Sequence, residues 1–180
     1  MPEIKAIFSD PIGGFHNLVG GLIKGVTGGA YSHAALGIEL YRTEYIMEAT
    51  GDHVGLVPFS VLENIDNKII YTIPVSDEQL LAVQQEVLRI EARRPLYSKA
   101  DCVAGGIADL LSDGAGEVVA GLICDDTSMD CSRLQTHLIR KAFPDYGSGM
   151  SEHIITPEDA QRLCCELLGI EYNKGVKEDE

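Results

Sequence analysis

Cys131 is the residue whose type and context best suit chemistry. It follows Asp130, precedes Ser132 and opens a run in which Leu134, Leu138 and Ile139 recur at helical spacing. The pattern predicts a helix capped by Asp130 and stopped by Pro144. Unpaired N–H groups at a helix start favour negative charge, so a thiol there loses its proton more readily. Asp130 opposes this unless capping engages its carboxylate. A thiolate so placed is a nucleophile for acyl transfer. The competing reading of any cysteine is a small buried hydrophobe. That reading suits Cys124, Cys164 and Cys165, and also Cys102, which has a helix-start position but no polar flank.

A cysteine nucleophile needs a base, and the base needs an orienting partner. His33 lies in the strand-like run SHAALGIELY, and the small residues Ser32, Ala34, Ala35 and Gly37 around it leave room for a substrate. His137 stands six residues beyond Cys131, off the thiol's face of the helix. His16 and His53 fall in loop-like stretches, and His153 precedes a helix. His33 is therefore the candidate base; its alternative is a hydrogen-bonded strand histidine.

Other chemistries lack their motifs. Gly20 and Gly25 are followed by Val26, where a phosphate loop requires Lys and then Ser or Thr. There is no G-x-G-x-x-G, no H-E-x-x-H and no zinc-deaminase cysteine pair. Neither a metal nor a cofactor is expected.

The elements that must carry these residues fit one domain. The chain has 180 residues, 45% hydrophobic and 23% charged, and its mean hydropathy is +0.04. No stretch approaches the length of a membrane span, so stable membrane association is not expected. The net charge is −14, which disfavours nucleic acid as a partner. Half of that excess lies in residues 101–130, which contain seven acidic residues and no Lys or Arg. A secretory leader is not apparent in Met1–Lys5, and five irregularly spaced cysteines suit reduced thiols. A cytoplasmic location follows as the expectation, with phage-type delivery left open.

Residues 4–8, 32–41, 44–50 and 68–74 read as strands, the second and third joined by Arg42 and Thr43. Ser76 with Gln79 forms a capping box, Asp101 caps a possible helix, and Thr156-Pro157 starts another that Gly169 ends. The segment from Phe15 to Val26 is apolar and weakened as a helix by glycines. The expected class is α+β. Residues 1–172 form one domain, and 173–180 a frayed polar tail.

Several of these segments resemble a known family. MDCSRLQTHLI is similar to the nucleophile helix of NlpC-type cysteine hydrolases, YSHAALGIE resembles the strand carrying the family's histidine, and RPLYSKADCVAGG resembles the aromatic stretch before the cysteine. His33 precedes Cys131, the order of the circularly permuted papain-like branch. Ile46-Met47-Glu48-Ala49, Val54-Gly55-Leu56-Val57-Pro58 and Thr156-Pro157-Glu158-Asp159 resemble that branch's later motifs. The resemblance implies a small open antiparallel barrel packed with helices, with the nucleophile at a helix N-terminus. It implies Cys131 as nucleophile, His33 as base and acid, Glu48 as the orienting residue and Tyr97 near the oxyanion. Tyr31, Ser132 and Arg133 are candidates to line the substrate, which would be a small molecule or peptide. Arg133 and the long, acidic interval between Tyr97 and Cys131 depart from the pattern.

Register is the open question. A turn at Arg42-Thr43 pairs Gly37 with Glu48, on the face of His33 but roughly 13 Å along. Asp52 then lies opposite His33 and stands in reserve. The implied activity is hydrolysis of an amide through an acyl-thioester. Lipid acyl transfer and a non-catalytic binding module are the alternatives.

Overall fold

A computed structural model describes residues 1–10, 24, 29–50, 53–97, 128–151 and 154–172. The expected Asp101 helix, most of the Phe15–Val26 segment, Asp52 and the 173–180 tail lie outside the described residues, as do Cys102, Cys124, His16 and His153.

Five strands form one sheet: β1 (Glu3–Ser9), β2 (His33–Leu40), β3 (Thr43–Thr50), β4 (His53–Pro58) and β5 (Lys68–Pro74). Their order is β4-β3-β2-β1-β5, and every neighbouring pair is antiparallel. Three helices among the described residues are α1 (Asp77–Arg93), α2 (Cys131–Ala142) and α3 (Pro157–Leu168), and a 3-10 turn spans Phe59–Asn64. The class is α+β, as expected.

The five-stranded antiparallel sheet is not closed into a barrel. Closure would require the two outer strands, β4 and β5, to pair. The outer side of β4 is taken up differently. The Leu56 N–H donates to Glu91 Oε2 of α1 at 2.9 Å, and the Val54 N–H donates to the carbonyl of Pro95 at 3.2 Å. A helix carboxylate thus occupies the edge that a closing strand would need.

Alternation builds the core. Ala34, Leu36, Ile38 and Leu40 of β2 join Ile4, Ala6 and Phe8 of β1 beneath Leu134, Leu138 and Ile139 of α2. The opposite parity, Ile7, Ala35 and Ile46, makes a smaller cluster with Leu62 of the 3-10 turn. Helix ends follow their signals. Ser76 and Gln79 close a capping box on α1, and Thr156 and Asp159 close one on α3, which ends at Gly169 with φ +66°.

The β2–β3 turn is Tyr41-Arg42 rather than Arg42-Thr43. Both residues have positive φ, 52° and 65°, the conformation a tight two-residue hairpin turn requires. Leu40 consequently pairs with Thr43 and Gly37 with Ile46.

Candidate active site

Three elements deliver the three central residues. Cys131 is the first residue of α2, His33 the first of β2, and Glu48 lies near the end of β3. The observed turn decides the third placement. Leu36 pairs with Met47, and continuing that register sets Ala35 opposite Glu48 and His33 opposite Thr50. Glu48 is then a diagonal neighbour of His33 on the same face, a separation long side chains bridge. Glu48 Oε2 lies 3.4 Å from His33 Nε2. The expected 13 Å gap is thus corrected by a turn displaced one residue towards the N-terminus, and Asp52 is not needed to explain the pairing.

The Cys131 thiol interacts with the same imidazole. Burial alone would lower the pKa of His33. Hydrogen bonding and charge interactions with Cys131, then Glu48, outweigh it and raise the imidazole from 6.5 to about 10. These interactions favour the protonated form of the imidazole. Cys131 is 4% exposed and His33 8%, so the pair lies below the surface.

The cap of α2 resolves the objection posed by Asp130. Its Oδ1 accepts from the Arg133 N–H at 2.7 Å, and its carbonyl accepts from the Leu134 N–H at 3.0 Å. The carboxylate is thus committed to the helix. The Cys131 N–H belongs to the helix's first turn, whose amides have no partner in the ladder.

The remaining candidates are distributed around this centre. Ser132 is buried, with its Oγ 3.8 Å from Cys131 Sγ. Arg133 is also buried. Tyr31 is half-buried against the core; burial and the Asp10 carboxylate raise its phenol. Tyr97 is 34 positions from Cys131 in sequence. Even so, β6 (Leu96–Tyr97) pairs in parallel with β7 (Ser128–Met129), setting Tyr97 against Met129. This brings the Tyr97 backbone to the strand that enters α2; its side chain lies outside the described residues.

Two features were not anticipated. Asp10, at the end of β1, receives hydrogen bonds from Lys24 Nζ at 2.8 Å, Asn67 Nδ2 at 2.8 Å and Ser32 Oγ at 3.2 Å. It anchors the residue before His33, and no motif around Asp10 announced this. Gln135 is fully buried on α2 and bonds the sheet backbone. A polar residue one turn beyond Cys131, inside an otherwise apolar stripe, was the available signal. Among the described residues, no group of three or more His, Cys, Asp or Glu is placed to hold a metal ion. No described helix is long and apolar enough to cross a membrane.

The chain matches no family model and no curated protein.

Proposed function

We propose that the chain is a cysteine hydrolase of the permuted papain-like kind, cleaving an amide bond, peptide or N-acyl, in a small-molecule or peptide substrate. The observation that carries this reading is Cys131 and Glu48 both engaging His33 from separate elements. With Glu48 on Nε2, Nδ1 is the ring nitrogen available to the sulfur and substrate.

Cys131 sulfur attacks the carbonyl carbon, forming a C–S bond and placing the carbonyl electron pair on oxygen. The Cys131 N–H at the helix start donates to that oxyanion. Protonated His33 gives its proton to the leaving nitrogen, the C–N bond breaks, and an acyl-thioester remains. Water then loses a proton to His33 as its oxygen attacks the thioester carbon. The C–S bond breaks, the acid departs, and the thiolate–imidazolium pair is restored. Glu48 holds the ring and stabilises its charge throughout. Every step uses side-chain and backbone groups of the protein and water, so the mechanism calls for no cofactor.

The first test is the pH dependence of iodoacetamide alkylation at Cys131, mapped by mass spectrometry, in the parent, Cys131→Ala and His33→Ala proteins. Ultraviolet thiolate absorbance supplies a readout independent of reagent access. Alkylation at pH 6 that slows sharply without His33 supports the reading and justifies an amide and ester panel. Alkylation that rises only near the free-thiol value of about 8.5, whatever occupies position 33, overturns it in favour of a binding module.

A further inference from the structure

Gln135 lies four residues after Cys131, one turn along the same face of α2. It is completely buried. Its Nε2 donates to the Ala35 carbonyl at 2.6 Å and to the Ile7 carbonyl at 3.2 Å. Ile7 and Ala35 are register partners in the β1–β2 ladder, so a single amide grips both strands at one level. Ala34, fully buried beside that level, presents only a methyl group to the helix.

The spacing relates this grip to the thiol. Moving back one helical turn from Gln135 covers about 5.4 Å along α2 and arrives at Cys131. Moving back two residues from Ala35 covers about 6.6 Å along β2 and arrives at His33. The two steps are of similar length, so the grip of Gln135 on Ala35 lies one helical turn from Cys131 and two strand residues from His33. Apolar packing alone is non-directional and tolerates sliding, whereas a donor gripping two carbonyls fixes both height and rotation. Stability alone explains this residue poorly. Gln135 Oε1 is buried with no hydrogen-bond partner among the described residues, a penalty that methionine or leucine would avoid.

We infer that Gln135 is a positioning residue: its two hydrogen bonds to the β1–β2 ladder hold α2 at the height and rotation that bring the Cys131 sulfur to His33. The inference rests on the Cys131–His33 reading above, and the test separates the two. Gln135→Met keeps the length and volume and removes the donor; Gln135→Leu is the second variant should the first fail to fold. Thermal midpoint, the pH–rate profile of Cys131 alkylation and thiolate absorbance are measured on each. The expected result is a folded variant whose alkylation at pH 6 falls tenfold to about a hundredfold, with its profile displaced towards the free-thiol value of about 8.5. A folded variant with the parental profile overturns the positioning role, even if its thermal midpoint has moved. A parent protein with a free-thiol profile of its own overturns the reactive pair, and this inference with it.

Discussion

Among the described residues there are two histidine–glutamate pairs, and they differ in what surrounds them. His33 and Glu48 lie on adjacent strands, Nε2 to Oε2 at 3.4 Å. His137 and Glu86 join α2 to α1, Nε2 to Oε1 at 2.7 Å. The second pair is the tighter, yet Glu86 also bonds Arg89, with Nε to Oε2 at 2.8 Å, and has Lys141 Nζ at 3.9 Å. The Arg89 hydrogen bond, opposed by burial and assisted by His137 and Lys141, lowers the Glu86 carboxyl to about 2. That arrangement is a clasp between helices: one carboxylate held by an arginine, a lysine and a histidine. His33 instead has Glu48 on one side and the Cys131 thiol interacting with its ring. A histidine–carboxylate pair is therefore no sign of catalysis by itself. What engages the rest of the imidazole makes the distinction.

The sharpest way to break the comparison is to remove the thiol or its base. Cys131→Ala should abolish alkylation at that position and all hydrolysis of any substrate found. His33→Ala should slow alkylation at pH 6 by about 10²-fold or more, with circular dichroism confirming that the variant remains folded. Equal rates in His33→Ala and the parent would place both pairs in the structural class.

Crossed carboxamide variants come next. Glu48→Gln should reduce Cys131 alkylation at pH 6 by roughly tenfold or more, as expected when an imidazolium loses its carboxylate partner. Glu86→Gln should leave that rate unchanged and lower stability by about 1–3 kcal/mol, the usual worth of hydrogen bonds to a charged group, read as a fall of several degrees in thermal midpoint. If Glu86→Gln changed the alkylation rate as much as Glu48→Gln, the two pairs would be coupled through α2 and the distinction would fail.

The pairs should also respond to opposite ends of the pH scale. Glu86 is depressed from 4.5 to about 2, so its contribution is present above pH 4.5 and lost as pH falls towards 2. His33 is raised from 6.5 to about 10, so its contribution is fully present below pH 6.5 and lost as pH rises through about 10. Urea unfolding against pH should show the acid loss disappear in Glu86→Gln and the alkaline loss diminish in His33→Ala. The reverse assignment would contradict the electrostatics of both sites.

How much of this was legible in the sequence depended on whether the signal was local. Helix caps were legible, because Ser76, Asp130 and Thr156 bond backbone three residues away. The strands of β2 and β3 were legible from alternation, but their register was not. Moving a two-residue turn by one position shifts the pairing by two residues, which returns every side chain to the same face. Alternation thus cannot separate the two registers, and Tyr41-Arg42 carries none of the Asn or Gly that marks such a turn. The distance from Glu48 to His33 hung on that turn. The cover on the outer edge of β4 was hidden for another reason: Glu91, on a helix, satisfies an edge strand far from it in sequence. Gln135 was visible only as a polar break in an apolar stripe, whose meaning required knowing which carbonyls lay beneath.

The smallest expected effect sharpens the clasp itself. His137→Gln removes the imidazole facing Glu86 and leaves Arg89, whose hydrogen bond is the largest influence on that carboxyl. A neutral amide at position 137 can still donate to Oε1. The loss should therefore stay below about 1 kcal/mol, within the range of partly exposed ion pairs, and Cys131 alkylation should not change. The measurement is the urea midpoint at pH 5, where an unpaired histidine is largely protonated, compared with pH 8. A loss at pH 5 as large as that of Glu86→Gln would make the imidazolium, rather than Arg89, the principal partner. The clasp would then depend on the charge of one histidine, as the proposed site does, and only the thiol would still distinguish them.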